Sequence, residues 1–158
     1  MNPRTLHSAL LAAAMCLATT AASSADQLVS FATGGYASQL RTPEMMHKID
    51  ANGDGMVAKA EWDAFQEKLF SMMDGDKSGT LTSQEFMRTG GTEVASFATG
   101  GFANSLRTKE MLTRLDTDGD GQVSRAEFTT YQSKVFDMMD TGKKQMLDKT
   151  TFFGRGPS

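Results

Sequence analysis

The chain contains few of the residues that most catalytic and redox sites require. It includes one cysteine and two histidines, and both Cys16 and His7 lie within residues 1–25. The remainder has one histidine, His47, and no cysteine, which excludes a disulfide framework there and any site that pairs a cysteine nucleophile with histidine. We therefore predict that the protein is not an enzyme.

Neither sign of charge dominates, and long apolar runs are also scarce. The 16 basic and 19 acidic residues give a formal net charge of −3, so no broad positive field attracts nucleic acid or an anionic membrane. The apolar run at residues 9–18 is about half of the ~20 residues that a membrane-spanning helix needs. The composition predicts neither a nucleic-acid partner nor a membrane span.

The N-terminal segment at residues 1–25, MNPRTLHSALLAAAMCLATTAASSA, has the layout of a secretory signal. Arg4 gives a weakly basic start, the apolar run follows, and the small residues Ser23 and Ala25 suit a signal peptidase. We expect cleavage after about Ala25 and a secreted or periplasmic protein; a membrane anchor is the alternative. The mature chain has no disulfide, so its stability must come from a core, from metal or from both.

The chain repeats itself, since SFATGGYASQLRT begins at Ser30 and SFATGGFANSLRT begins at Ser96. This internal duplication predicts, after the signal peptide at 1–25, a first unit at 26–90 and a second unit at 91–158. Glycine pairs can present N–H groups to phosphate, but no Lys-Ser/Thr follows the glycines here. We interpret the repeated segment as the lead-in to each unit.

Three segments of twelve residues share one pattern of oxygen-bearing side chains and glycine. Loop 1 (residues 50–61) is DANGDGMVAKAE, loop 2 (74–85) is DGDKSGTLTSQE and loop 3 (116–127) is DTDGDGQVSRAE. Each has oxygen-bearing side chains at positions one, three and five, glycine at six, an aliphatic residue at eight and glutamate at twelve. Solvated turns are the alternative interpretation, but they do not explain the fixed offsets of the aliphatic residue and the glutamate.

This pattern resembles the calcium-binding loop of the EF-hand superfamily, and the close spacing of the loops resembles small secreted or periplasmic bacterial EF-hand proteins. The resemblance implies an all-α fold of duplicated helix-loop-helix units, with four loops, two in each half, and short β-pairing between loops. It also implies Ca²⁺ as the cofactor, with about three ions bound per chain.

The resemblance assigns ligands to five positions in each loop. Calcium takes six to eight oxygen ligands at ~2.3–2.6 Å, and the seventh residue of an EF-hand loop offers its backbone carbonyl. Loop 3 has four carboxylates and the other two loops have three each, so we expect loop 3 to bind most tightly. The implied ligands are Asp50, Asn52, Asp54, Met56 and Glu61 in loop 1, Asp74, Asp76, Ser78, Thr80 and Glu85 in loop 2, and Asp116, Asp118, Asp120, Gln122 and Glu127 in loop 3.

Loop 4 (residues 140–151), DTGKKQMLDKTT, departs from the pattern. It keeps Asp140 and Leu147, but positions three, five and twelve are Gly142, Lys144 and Thr151. Too few oxygen ligands remain to surround a divalent cation, and the lysines add positive charge. We predict that loop 4 binds no calcium and serves as a structural partner.

Only twelve residues, 62–73, separate loop 1 from loop 2. A single helix of this length would place the two loops at its opposite ends, so each would pair with a loop of the other half or of another molecule. One such arrangement pairs odd loops with odd and even loops with even. A break near Gln66 would instead allow neighbouring loops to pair.

Methionine is frequent in the chain and often doubled. The doubled residues either pack in the core or form an adaptable apolar surface for a protein partner. The predicted function is a calcium buffer, sensor or adaptor outside the cytoplasm; the alternative is a secreted interaction protein in which Ca²⁺ only stabilises the fold. The doubled residues are Met45-Met46, Met72-Met73 and Met138-Met139.

Overall fold

A computed structural model describes residues 40–87 and 106–154. The predicted signal peptide, the boundary between the two units near residue 90 and both FATGG segments lie outside these residues. The described residues are mostly helical, as predicted. Their elements are α1 (Pro43–Ile49), β1 (Val57–Ala58), α2 (Lys59–Met73), β2 (Thr80–Thr82), α3 (Ser83–Met87), α4 (Lys109–Leu115), β3 (Gln122–Ser124), α5 (Arg125–Met139), β4 (Met146–Leu147) and α6 (Lys149–Phe153).

The short helices α1 and α4 begin at equivalent threonines in the two halves. The Thr42 hydroxyl accepts the N–H of Met45 at 3.1 Å, and the Thr108 hydroxyl accepts the N–H of Met111 at the same distance. Each bond satisfies a backbone donor that the first turn of a helix leaves without a partner. The two caps fix the starts of the helices that lead into loop 1 and loop 3.

The long helices α2 and α5 each run unbroken through 15 residues. Helix α2 continues through Gln66, so the alternative in which a break there lets loops 1 and 2 pair is wrong. A helix of this length spans about 22 Å and holds the loops at its two ends apart. Loops 1 and 2 are therefore separated by α2, and loops 3 and 4 by α5.

Helices α2 and α5 pack antiparallel through two edge-to-face aromatic contacts. Trp62, near the start of α2, lies 5.7 Å from Phe136, near the end of α5, and Phe70 lies 5.5 Å from Phe128. The internal repeat exchanges the two pairs, so this contact has approximate two-fold symmetry. The buried Trp62 indole N–H also donates to the backbone carbonyl of Gln132 at 3.0 Å. Edge-to-face pairs of this kind contribute about 0.5–1.5 kcal/mol beyond the burial of their area.

The strands pair across the two halves of the repeat. β1 is antiparallel to β4, with Val57 opposite Leu147, and β2 is antiparallel to β3, with Leu81 opposite Val123. Loop 1 thus pairs with loop 4, and loop 2 pairs with loop 3. The arrangement of odd loops with odd and even with even is wrong, because antiparallel helices bring the start of α2 beside the end of α5.

The doubled methionines lie mostly in the core rather than on the surface. Met45, Met46, Met73 and Met139 are each no more than 4% exposed. The most exposed large apolar side chains of the described residues are Met87 and Met146, which belong to none of the doubled pairs. The doubled methionines therefore belong to the core or pack against it, which is the first of the two interpretations given above.

Two glutamines occupy equivalent buried positions at the middle of α2 and α5. Gln66 and Gln132 are 1% and 0% exposed, and within the described ranges the side-chain amide of Gln66 has no hydrogen-bond partner. An unpaired buried amide costs about 1–3 kcal/mol, so the burial of Gln66 is not explained by stability alone.

None of the helices in residues 40–87 and 106–154 is long and apolar enough to cross a membrane.

Candidate metal centres

The first aspartate of each loop is held inside a turn of backbone. In loop 3, Asp116 Oδ1 accepts the N–H of Gly119 at 2.7 Å, and Oδ2 accepts the N–H of Gly121 at 2.9 Å. In loop 1, Asp50 accepts the N–H of Gly55 at 2.9 Å, and in loop 2 Asp74 accepts that of Gly79 at 3.0 Å. One carboxylate therefore winds each loop by binding several backbone donors at once.

The glycine at position six adopts a backbone conformation that other residues avoid. The φ angles of Gly55, Gly79 and Gly121 are 80°, 85° and 82°, in the left-handed region where a side chain causes strain. This turn aims the N–H of each glycine at the first aspartate of its loop. Loop 4 makes the same turn with Gln145 at a φ of 57°, so its winding is kept at some cost in strain.

The glutamate at position twelve joins the start of each loop to its end. In loop 3, Glu127 Oε1 accepts the N–H of Thr117 at 2.7 Å, and Oε2 accepts the N–H of Ser124 at 2.9 Å. Glu61 and Glu85 make the equivalent bonds in loops 1 and 2. Each glutamate therefore lies across the mouth of its loop, with both oxygens directed at backbone groups on opposite sides.

These bonds favour the ionised forms of Glu127 and Glu85. Burial alone would raise the pKa of Glu127, but the N–H groups of Ser124 and Thr117 and both hydroxyls lower it to about 2. The pKa of Glu85 is also lowered, because the backbone and hydroxyl of Thr82 outweigh the effect of burial. A carboxylate that stays charged offers the hard anionic oxygens that a divalent cation requires.

Two groups of three carboxylates come close together in the described residues. The ligand atoms within each group lie within 4.8 Å of one another. Like charges this close repel, and a divalent cation placed among them relieves the repulsion while matching the oxygen preference of calcium. The groups are Asp74, Asp76 and Glu85 in loop 2, and Asp116, Asp118 and Asp120 in loop 3.

Loop 1 places three of its implied ligands next to one another, and one of the three is neutral. Asn52 Oδ1 accepts the N–H of Asp54 at 2.8 Å, and its Nδ2 donates to Asp54 Oδ2 at 3.0 Å. The side chains of Asn52 and Asp54 therefore lie side by side, next to the Asp50 carboxylate that accepts the N–H of Asp54 at 3.2 Å. Charge density in loop 1 is lower than in loop 3, because an amide replaces one carboxylate.

The residue at position seven of each loop lies next to the implied ligand at position five. The N–H groups of Met56 and Gln122 donate to Asp54 and Asp120 at 2.8 and 2.7 Å. In loop 2 the Thr80 carbonyl accepts the Ser78 hydroxyl at 2.9 Å, which places two implied ligands in contact.

Loop 4 keeps the winding of the other loops and lacks their ligands. Asp140 accepts the N–H groups of Lys144 and Gln145 at 3.0 and 2.7 Å, as the first aspartates of the other loops do. At position twelve, however, the Thr151 side chain bonds to Asp148 at the start of its own helix. The mouth of loop 4 is therefore not crossed by a carboxylate.

The residues at position nine also contribute to the site, although none of them was among the predicted site residues. Thr82 and Ser124 each accept the N–H of the position-twelve glutamate and donate their hydroxyl to its carboxylate. A Ser or Thr followed three residues later by Glu is the signature of a capping box, and this signal was present in both loops. The caps orient the glutamates and so belong to the site.

Comparison with known proteins decides the family. Residues 63–133 match the family model described as an EF-hand domain pair, and residues 44–66 match the one described as an EF hand. The chain belongs to the EF-hand superfamily. EF-hand domains bind Ca²⁺, which confirms the predicted cofactor. A search of the curated proteins and a search of the solved structures returned no match.

The family model for an EF-hand pair matches the same two loops that pair through a β-sheet in the structure. Residues 63–133 contain loops 2 and 3, which come from different halves of the repeat and are joined by β2 and β3. The EF-hand pair therefore spans the boundary between the two repeated units. The narrower resemblance to secreted bacterial EF-hand proteins stays a prediction.

Replacing Glu127 by glutamine tests the role of position twelve. Glu127→Gln keeps the size of the side chain and removes its charge, so we expect calcium affinity at loop 3 to fall about tenfold or more. Calorimetric titration with Ca²⁺ measures the change. Asp137→Asn is the matched control, because it removes one exposed carboxylate from the same helix outside the loops. Equal affinities in Glu127→Gln and the control would contradict the assignment.

Proposed function

We propose that this protein binds about three Ca²⁺ ions outside the cytoplasm and acts as a calcium buffer, sensor or adaptor. In this proposal its four loops are duplicated EF-hand loops, of which loops 1, 2 and 3 each hold one ion and loop 4 holds none. The observation that carries the proposal is the glutamate carboxylate that lies across the mouth of each of loops 1 to 3, where loop 4 has Thr151. The ligands are the fifteen residues given above for those loops.

The geometry divides the proposed sites into a pair and a single site. Loops 2 and 3 share the β2–β3 sheet, and the Thr80 hydroxyl donates to the Gln122 side chain at 3.1 Å across it. Loop 1 shares the β1–β4 sheet with loop 4, and the Lys59 N–H donates to the Gln145 carbonyl at 3.0 Å. Two ions therefore bind side by side, whereas the ion of loop 1 has an empty loop as its neighbour.

A second candidate function is that Ca²⁺ serves only to stabilise the fold. The burial of the doubled methionines favours it, because a calcium sensor of the usual kind exposes such residues to a target. A ligand that binds only the folded state at 100 times its dissociation constant adds about 2.7 kcal/mol of stability. This contribution would be large in a chain that has no cysteine after Cys16 and hence no disulfide in its mature form.

No catalytic role is proposed. EF-hand domains are typically non-enzymatic, and the carboxylates of the loops are occupied as calcium ligands in the proposal.

Calcium titration followed by two signals distinguishes the candidates. For a sensor, we expect Ca²⁺ to increase the fluorescence of a dye that binds apolar surface while far-UV circular dichroism changes little. For a purely structural ion, circular dichroism should instead show loss of helix when Ca²⁺ is removed, and added Ca²⁺ should decrease dye binding. Absence of change in both signals would contradict both candidates.

The proposed location rests on the N-terminal segment at residues 1–25 and has its own test. A reporter enzyme fused after this segment should be exported. The full chain, when it is exported in the same way, should have an N-terminus near Asp26. Leu11→Arg, which interrupts the apolar run, is the control and should keep the reporter inside the cell. Retention of the unaltered fusion with its leader intact would contradict export.

A further inference from the structure

Arg125 belongs to loop 3, yet its side chain reaches Asp74, the first proposed calcium ligand of loop 2. Its Nη2 lies 3.8 Å from Asp74 Oδ2, and its Nη1 donates to Glu67 Oε2 at 2.5 Å. The guanidinium carbon lies 4.5 Å from the centre of the Phe70 ring, and the Arg125 N–H donates to the Gly79 carbonyl at 3.2 Å. Four contacts therefore place one fixed positive charge beside the first proposed ligand of the neighbouring loop.

Asp74 does not need Arg125 to hold its orientation. The Asp74 carboxylate is buried, and both of its oxygens accept backbone N–H groups, from Ser78 and Gly79, each at 3.0 Å. The guanidinium is farther away, at 3.8 Å. Since the backbone already fixes the carboxylate, the principal effect of Arg125 on this ligand is electrostatic.

We propose that Arg125 lowers the calcium affinity of loop 2 and thereby widens the difference in affinity between loop 2 and loop 3. The proposal rests on the proposed function, in which loop 2 is a calcium site. A cation beside Asp74 neutralises part of the charge that attracts Ca²⁺ and repels the incoming ion. The Arg125 side chain is 41% exposed, so water and salt screen the repulsion, and we expect an effect of about threefold to tenfold in affinity.

The repeat supplies an internal control for this residue. Lys59 occupies in loop 1 the position that Arg125 occupies in loop 3. It lies 5.7 Å from the centre of the Phe136 ring and bonds to Asp63 and Ser133, so its surroundings are similar. The loop beside Lys59 is loop 4, in which Asp140 is the residue equivalent to Asp74. Loop 4 lacks the other calcium ligands. Removing the charge of Lys59 should therefore leave loop 2 unaffected.

The test uses the mature protein and follows each loop separately during a calcium titration. The amide signals of Gly55, Gly79 and Gly121 in ¹H–¹⁵N NMR spectra report loops 1, 2 and 3, because each N–H donates to the first aspartate of its loop. Wild type, Arg125→Gln, Arg125→Lys and Lys59→Gln are titrated at low and high salt. Dispersed spectra show that each variant is folded.

In Arg125→Gln we expect the Gly79 transition to occur at a free calcium concentration about threefold to tenfold lower than in wild type, and the difference to shrink at high salt. Arg125→Lys, which keeps the charge, should lie close to wild type, and Lys59→Gln should leave Gly79 unmoved. The proposal would be overturned if the Gly79 transition in Arg125→Gln occurred at the same calcium concentration as in wild type or at a higher one. Equal shifts of this transition in Arg125→Lys and Arg125→Gln would also overturn it. If Gly79 does not respond to calcium in any variant, loop 2 is not a site and the proposed function fails there too, whatever Gly55 and Gly121 show.

Discussion

The contact between α2 and α5 determines which loops can meet. Each helix is too long to let the loops at its two ends touch, so every loop needs a partner from the other half. The antiparallel contact, with Trp62 on Phe136 and Phe70 on Phe128, brings loop 1 beside loop 4 and loop 2 beside loop 3. The division into a pair of proposed sites and a single site follows from this packing.

Within each of loops 1 to 3, two acidic residues organise the backbone and supply charge to the site. The first aspartate winds the loop through N–H bonds, and in loops 1 to 3 the glutamate at position twelve closes it. In loop 4 the first aspartate, Asp140, winds the backbone although no glutamate closes the loop, so loop 4 can still present β4 to loop 1.

Local features were predictable from the sequence, and contacts between distant residues were not. The loops and their glycines are encoded in short stretches, so their pattern predicted them. The sequence left open whether the helix between loops 1 and 2 is continuous or breaks near Gln66, and the structure shows that it is continuous. The partner of each loop depends on the relative direction of α2 and α5, which no local pattern states, and the odd-with-odd arrangement was therefore wrong. The burial of Gln66 and the reach of Arg125 to Asp74 also depend on that packing, because both lie where the two halves meet.

The central claim is that loops 1, 2 and 3 bind calcium and loop 4 does not. Calorimetric titration of the mature protein, after a chelator has removed bound metal, tests it most directly because it counts the ions bound per chain. The account predicts three. Four ions would contradict the assignment of loop 4 as inactive, and no binding would contradict the account as a whole.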